Sequence, residues 1–119
     1  MLKSLSATIA TLGILTASMP ANAASCGYAS TYGVGDGYHG LRTANGEIFN
    51  AYGFTTASKT LPFGSRIRVT NQANGRSVVV RVNDDGPHIA GRILDLSYGA
   101  FSRIASPSQG VARVCFTRL

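Results

Sequence analysis

Acidic residues are scarce in this chain of 119 residues, and the five that it has are Asp36, Glu47, Asp84, Asp85 and Asp95. If the protein uses carboxyl groups for acid–base chemistry, the candidates are therefore few. Asp84 and Asp85 stand out because they follow an apolar run of β type, residues 78–82, and precede a Gly86-Pro87 turn. A carboxylate at a strand end is held by a rigid element and remains within reach of a substrate. The alternative is that Asp84 only shapes the turn, as Asp commonly does.

The chain also lacks an apolar run that favours a membrane-spanning helix. Residues 5–19 are mostly apolar and uncharged, but they are too few and too poor in large side chains. Lys3 precedes them, Pro20 ends them, and the small-x-small sequence of residues 21–23 follows, which is the pattern of a secretory signal peptide. We therefore predict a signal peptide over residues 1–23. Residues 24–119 are expected to form one domain that is exported to the periplasm or out of the cell.

Only two cysteines are present, Cys26 and Cys115, near the two ends of the predicted domain. In an oxidising compartment such an even pair predicts a disulfide. Cys26 also follows a weak version of a bacterial lipoprotein box, which lacks the usual large aliphatic residue, so lipid anchoring through Cys26 is the less favoured alternative. No Cys-x-x-Cys is present, and His39 and His88 lie far apart in the sequence, so nothing indicates a metal or another cofactor.

Basic residues outnumber acidic ones by eleven to five, but they do not cluster. They are scattered singly along the chain, without a run or a basic helix, which argues against a nucleic-acid partner. For an exported protein, diffuse positive charge fits an anionic polymer such as the cell wall, although solubility alone explains it equally well. We expect a monomer without a stable membrane span.

Short strands separated by turns dominate the predicted domain. Period-2 alternation and short apolar runs predict strands at residues 25–32, 66–70, 77–82, 92–96 and 111–117. Asn74-Gly75 is a strong hairpin signal, and Ser97 is a suitable N-cap for one short helix over residues 98–105. Residues 33–40 carry four glycines and are predicted to form a loop. This combination favours a mainly β fold, a small closed barrel with one short helix.

Several motifs in a fixed order identify a family resemblance. They are GLRTANGEIF at residues 40–49, KTLPFGS at 59–65, VTN at 69–71, VNDDGP at 82–87 and GRILDLS at 91–97. Together they resemble the rare lipoprotein A (RlpA) family over almost all of the predicted domain. The resemblance implies a double-psi β-barrel, the six-stranded closed barrel also found in expansins and some endoglucanases. It further implies a bacterial role in peptidoglycan metabolism, because the family includes lytic transglycosylases that cut glycan strands lacking stem peptides.

The resemblance also assigns roles to two carboxylates. A lytic transglycosylase cleaves the MurNAc–GlcNAc β-1,4 bond without water and closes a 1,6-anhydro ring on MurNAc. One carboxyl group can protonate the leaving oxygen and then, as a carboxylate, accept the proton of the C6 hydroxyl group. Asp84 occupies the family's catalytic aspartate position and is expected to be this acid and base. Glu47 matches a second functional carboxylate, which positions the substrate or stabilises developing charge.

Three positions depart from the family pattern. Asn50 stands where relatives carry Asp, Ser58 where they carry His, and Asp85 where many carry Arg. Asn50 can form hydrogen bonds but holds no charge, and Ser58 does not titrate as histidine does. We expect all three to contact substrate. The leading hypothesis is an endolytic peptidoglycan transglycosylase, and the alternative is a non-catalytic, expansin-like module that binds the cell wall.

The aromatic residues and Asp95 complete the expectations. Sugar-binding clefts often use aromatic faces, and Tyr32, Tyr38 and Tyr52 are the candidates for such platforms. Two phenylalanines, Phe49 and Phe63, are expected in the core. For Asp95 we expect a structural role at the corner of the barrel, paired with Arg92.

Overall fold

The computed structural model describes residues 24–119, and the predicted signal peptide lies outside them. These residues form six strands, one α-helix and one 3₁₀ turn, Pro107–Gln109. The strands are β1 (Ser25–Tyr32), β2 (Thr55–Ala57), β3 (Arg66–Asn71), β4 (Ser77–Asp84), β5 (Arg92–Ser97) and β6 (Val111–Arg118), and the helix is α1 (Tyr98–Ile104). The five strands predicted from the residues and the helix are thus confirmed, and β4 continues two residues further than predicted, through Asp84. Strand β2 was not predicted from the residues, because its three residues are too few to show a period.

The six strands close into a barrel in the order β1-β5-β2-β4-β3-β6. The pairs β1–β5 and β2–β4 are parallel, whereas the other four pairs are antiparallel. The β3–β4 pair is the hairpin predicted from Asn74-Gly75. Among residues 24–119 no helix is long and apolar enough to span a membrane.

The barrel interior is filled by alternate residues of its strands. On β3, Ile67 and Val69 are fully buried while Arg66 and Arg68 are exposed, which is the period of two expected of a strand with one apolar face. Helix α1 adds Phe101 and Ile104 to the same core. Strands β1, β4, β5 and β6 supply most of the other buried side chains of this core, including Ala29, Val80, Leu94, Leu96 and Val114.

Ser97 joins β5 to α1 in the predicted manner. Its hydroxyl oxygen accepts a hydrogen bond from the backbone N–H of Ala100, and it donates one to the carbonyl oxygen of Gly53. The first bond satisfies one of the free N–H groups at the helix start. Phe49 is buried as expected, but the expectation for Phe63 is wrong, because half of this side chain is exposed on the turn before β3.

The Cys26–Cys115 disulfide links β1 to β6 at facing positions of their antiparallel ladder. The two cysteines are 89 residues apart in the chain, so the bond closes nearly the whole domain into a loop. Such a crosslink restricts the unfolded chain and thereby stabilises the folded one. The predicted disulfide is therefore confirmed, and it compensates for the modest core of a small domain.

Replacing both cysteines by serine should lower the free energy of unfolding by about 2–5 kcal/mol. Urea denaturation followed by circular dichroism measures this difference. Wild-type protein treated with a reductant serves as the matched control and should unfold like the double variant. The double variant itself should not respond to the reductant. Equal stability of the oxidised wild type and the variant would contradict the assigned role of the crosslink.

Candidate functional site

A cleft of about 350 Å³ opens where β4 ends and is lined by Tyr32, Tyr38, Ala57, residues 84–89 and Asp95. The strand order explains why these residues meet. Strand β2 lies between β4 and β5, and Ala57 is the register partner of Asp84 on one side and of Asp95 on the other. Two carboxyl groups therefore flank one small side chain, on strands whose backbones lie about 10 Å apart across β2.

The carboxylate of Asp84 accepts three hydrogen bonds. One oxygen accepts from the backbone N–H groups of Ala44 at 2.9 Å and Asp85 at 3.0 Å, and the other accepts from the Tyr32 hydroxyl group at 2.9 Å. Such donors stabilise negative charge and fix the direction of the carboxylate. Burial, and then the nearby charge of Asp84, raise the pKa of Tyr32 well above its ordinary value. Tyr32 therefore remains a hydrogen-bond donor to Asp84.

Asp95 occupies a different environment in the same cleft. It accepts one side-chain hydrogen bond, from the Ser30 hydroxyl group at 3.1 Å. Burial raises the pKa of Asp95 from 3.8 to about 6, and the Ser30 bond and the charge of Arg92 offset only part of this effect. A carboxyl group with such a pKa can deliver a proton near neutral pH.

The sequence-based expectation for Asp95 was incomplete. No ion pair joins Asp95 to Arg92 within the described residues, where Arg81 pairs with Glu47 and the His88 ring lies 3.6 Å from the Asp85 carboxylate. Asp95 instead faces the cleft. One signal in the sequence pointed this way, since a single carboxylate interrupts the apolar strand of residues 93–96. An acidic residue within such a run has a buried environment, which perturbs its titration.

Glu47 does not line the cleft, and both of its carboxylate oxygens accept hydrogen bonds. Both of its oxygens accept hydrogen bonds from the Arg81 guanidinium group at 2.8 Å, and further bonds come from Asn83 at 2.9 Å and Asn45 at 3.1 Å. The hydrogen bonds from Arg81, and then that from Asn83, lower the pKa of Glu47 to about 2. Glu47 thus ties its own loop to β4, and the same loop brings the N–H of Ala44 to Asp84.

The pairing of Glu47 predicts an acid-dependent stability difference. Its folded-state pKa is lower than its ordinary value of 4.5, so its stabilising effect is complete above that value and is lost as the pH falls towards 2. Glu47→Gln should reduce the free energy of unfolding at pH 7 by about 0.5–1 kcal/mol, because the ion pair is partly exposed. Urea denaturation of both proteins should show that this difference in the free energy of unfolding disappears as the pH falls towards 2. A difference that persists unchanged in acid would contradict the stabilising role of the Glu47 charge.

The aromatic candidates divide between the cleft and its surroundings. The ring of Tyr32 stacks on that of Phe49, with centroids 4.5 Å apart, and the ring of Tyr38 meets Tyr32 edge-on at 5.8 Å. Tyr38 is 53% exposed at the cleft, as a platform for a sugar ring must be. Tyr52 is exposed too, but its ring contacts the rings of His39 and Tyr98 away from the cleft.

Gly33 allows the loop after β1 to cover this aromatic stack. A Cβ atom at Gly33 would lie 2.7 Å from the Phe49 ring and 2.7 Å from Cβ of Ala51, closer than packed atoms allow. Its φ angle of +118° is also one that side chains strongly disfavour. The glycine-rich loop predicted from the sequence therefore fits closely over the aromatic stack at this point.

The three departures from the family pattern lie at different distances from the cleft. Asp85 lines the cleft, with a carboxylate oxygen 3.6 Å from His88. Ser58 is buried beside it, and its hydroxyl oxygen accepts hydrogen bonds from the N–H groups of Thr60 and Leu61, which shapes the turn after β2. The Asn50 side chain accepts a bond from the N–H of Tyr52 in an exposed turn outside the lining of the cleft.

A family model described as "Lytic transglycolase" matches residues 24–116. The chain belongs to this family. A relative from Synechocystis, "Probable endolytic peptidoglycan transglycosylase RlpA", is 57% identical over 88 residues, which are 74% of this chain and 27% of the relative. "Endolytic peptidoglycan transglycosylase RlpA" of Pseudomonas aeruginosa is 51% identical over 88 residues, covering 74% of this chain and 25% of the relative. The resemblance to RlpA is thereby confirmed.

The chain spans about a quarter to a third of the length of these curated relatives. It covers 33% of the Vibrio cholerae protein of the same name, at 52% identity. Solved structures share its fold at lower identity. An apo expansin of Clavibacter michiganensis has a TM-score of 0.65 at 21% identity, covering 82% of this chain and 50% of the expansin. The Streptomyces papain inhibitor has a TM-score of 0.67 at 22% identity, covering 86% and 99%. These likenesses confirm the double-psi β-barrel.

Proposed function

We propose that this protein is an endolytic lytic transglycosylase that cleaves MurNAc–GlcNAc β-1,4 bonds of peptidoglycan glycan strands and leaves 1,6-anhydroMurNAc ends. The observation that carries the proposal is the pair of carboxyl groups in one cleft, Asp84 and Asp95, which differ in burial and in hydrogen bonding. The family membership and the names of the RlpA relatives support the same reaction. Export to the compartment that contains peptidoglycan belongs to the proposal.

The two environments favour a division of labour. Asp95, with its pKa raised to about 6, is the acid that protonates the glycosidic oxygen as the C1–O4 bond breaks. Asp84, whose carboxylate is oriented by three hydrogen-bond donors, is the base: it accepts the proton of the MurNAc C6 hydroxyl group while the C6 oxygen bonds to C1. One proton enters through Asp95 and one leaves through Asp84, so both groups return to their starting states through solvent. The sequence-based assignment gave both steps to Asp84.

The remaining residues prepare the site. Tyr32 and the N–H of Ala44 orient the carboxylate of Asp84, and Glu47 holds the loop from which Ala44 donates. Tyr38 offers an exposed ring at the cleft on which a sugar can stack. Glu47 is therefore a positioning residue, which acts through Asp84.

The second candidate function is a binding module that holds glycan strands without cutting them. Asn50 and Ser58 favour it, because each replaces a family residue that can carry charge by one that does not. Their contacts are with backbone N–H groups of neighbouring turns. A reaction carried by Asp84 and Asp95 does not require a charge at either position.

Digestion of purified glycan strands, with and without stem peptides, separates the two functions. Mass spectrometry of the soluble products should show 1,6-anhydroMurNAc ends after incubation with wild-type protein. A pull-down on the same material measures binding. Binding without release of anhydro products would overturn the enzymatic proposal in favour of the binding module. Neither binding nor release would mean that the barrel serves another purpose.

A further inference from the structure

A second pocket, of about 310 Å³, lies beside the cleft on the same outer face of β5. Ile93 lines this pocket and Asp95 lines the cleft. Residues two apart on a strand share a face and are about 7 Å apart. The pocket therefore lies next to Asp95, the acid of the proposed reaction, on the same face of β5.

Two basic side chains border this second pocket. They are Lys59, on the turn after β2, and Arg92, at the start of β5. Neither forms an ion pair with any carboxylate among residues 24–119. Ile93 and Phe116 supply an apolar wall. We call this site the cation pocket.

The absence of a side chain at Gly27 permits the apolar wall. A Cβ atom there would lie 2.8 Å from Cγ2 of Ile93, so any larger residue on β1 would displace Ile93. Ile93 can thus lie against β1, as it does in the structure. The cation pocket accordingly combines two unpaired positive charges with an apolar surface that depends on one glycine.

A continuous surface joins the cation pocket to the cleft. It is a shallow depression lined by residues 58–63 and Asp85. Asp85 also lines the cleft, and Lys59 and Thr60 also line the cation pocket. Phe63, half exposed, lies along this surface and offers an aromatic ring outside the cleft. A linear polymer held at Asp84 and Asp95 can therefore continue across Phe63 towards Lys59.

We propose that the cation pocket is an anion subsite that binds the lactyl carboxylate of a MurNAc residue in the same glycan strand. This inference rests on the proposed function and names a group of the substrate that the site recognises. The lactyl group carries a methyl beside its carboxylate, which matches the apolar wall beside two cations. A stem peptide is attached through that carboxylate as an amide, which removes the charge. The subsite thus favours strands whose lactyl groups are free.

The test compares binding of three materials by sedimentation: peptide-free glycan strands, the same strands with lactyl carboxylates converted to methylamides, and chitin oligosaccharides, which have no lactyl group. Lys59→Gln combined with Arg92→Gln should weaken binding of the peptide-free strands about tenfold and leave the other two unchanged. Lys59→Gln alone should give a smaller loss, and Lys59→Arg should retain wild-type binding. Added salt should reduce the difference.

Arg76→Gln provides the matched control, because it removes one positive charge from the exposed hairpin turn between β3 and β4. Its binding should equal that of the wild type. Equal losses on all three materials, or an equal loss in Arg76→Gln, would overturn the proposal. The test measures binding, which is separate from catalysis. Absence of anhydro products would refute the enzymatic function, whereas equal binding of free and amidated strands would refute the subsite.

Discussion

Asp84→Asn should reduce release of 1,6-anhydro products from glycan strands by about 10²–10⁴-fold, the usual contribution of a general acid or base. The amide keeps the shape of the carboxylate, and its oxygen can still accept from the N–H of Ala44. It cannot accept the proton of the C6 hydroxyl group, so the ring-closing step loses its base. Mass spectrometry of the products at saturating substrate measures the loss, and thermal unfolding verifies that the variant is folded.

The neighbouring carboxylate supplies the matched control. Asp85→Asn makes the same chemical change one residue further along, where the carboxylate is more than half exposed and lies 3.6 Å from the His88 ring. We expect a loss of at most about tenfold for this variant, since an exposed contact contributes little. Near-equal losses in the two variants would show that net charge at the cleft, and not a proton transfer at Asp84, governs the rate.

Asp95→Asn should cause a loss of similar size, and it should also change the pH profile. The wild-type rate is expected to decrease as the pH rises through about 6, because Asp95 must be protonated to act as the acid and its pKa is raised to that value. The residual rate of the variant should lack this decrease. If the rate of the variant decreases over the same pH range as that of the wild type, the decrease must come from the titration of another group.

The same variant makes a separate prediction for stability. Since the folded-state pKa of Asp95 lies above its ordinary value of 3.8, the folded protein binds this proton more tightly than the unfolded chain does. The group therefore contributes most below pH 4, and this contribution is lost as the pH rises to about 6. Asp95→Asn should consequently be more stable than wild type at pH 7.5, with the difference shrinking towards pH 4. Lower stability of the variant at pH 7.5 would contradict the burial argument.

Opposite trends distinguish the two unusual carboxyl groups. Stabilisation by Glu47 is lost in acid, because an ion pair and hydrogen bonds favour its charged form. Stability involving Asp95 is lost as the pH rises, because burial opposes its charged form. Urea denaturation across the pH range, performed on both variants, therefore tests the two environments within one experiment.

Local patterns were sufficient for five of the six strands and for the helix, but not for the short strand β2. Alternation in residues 66–70 predicted β3, Asn74-Gly75 predicted the hairpin, and Ser97 predicted the start of α1, because each depends on residues that are neighbours in the chain. The disulfide was also predictable, since two cysteines in an oxidising compartment leave one possible intramolecular pairing. The family resemblance supplied the six-stranded closed barrel, and the structure shows the order of its strands.

The prediction that Phe63 is buried was wrong, and the reason lies in the position of its turn. A barrel this small must bury several of its aromatic residues, and Phe63 was assigned to the core on that ground. The turn between β2 and β3 instead places its ring at the surface, where it lines the path between the cleft and the cation pocket. Loop side chains are oriented by the elements on either side, so local composition predicts their exposure poorly.

The amino-acid sequence alone was enough to predict five of the six strands, the helix cap, the crosslink and Asp84 at a strand end, because these follow from short-range periodicity and turn chemistry. The closed barrel was needed to bring Asp95 beside Asp84, to pair Glu47 with Arg81, and to align the cation pocket with the cleft. The reason is physical. Proton affinity depends on burial and on neighbouring groups, and these groups are distant in the chain. Ser30 donates to Asp95 from the adjacent strand, 65 residues away, and Asp84 lies across β2 from Asp95, 11 residues away.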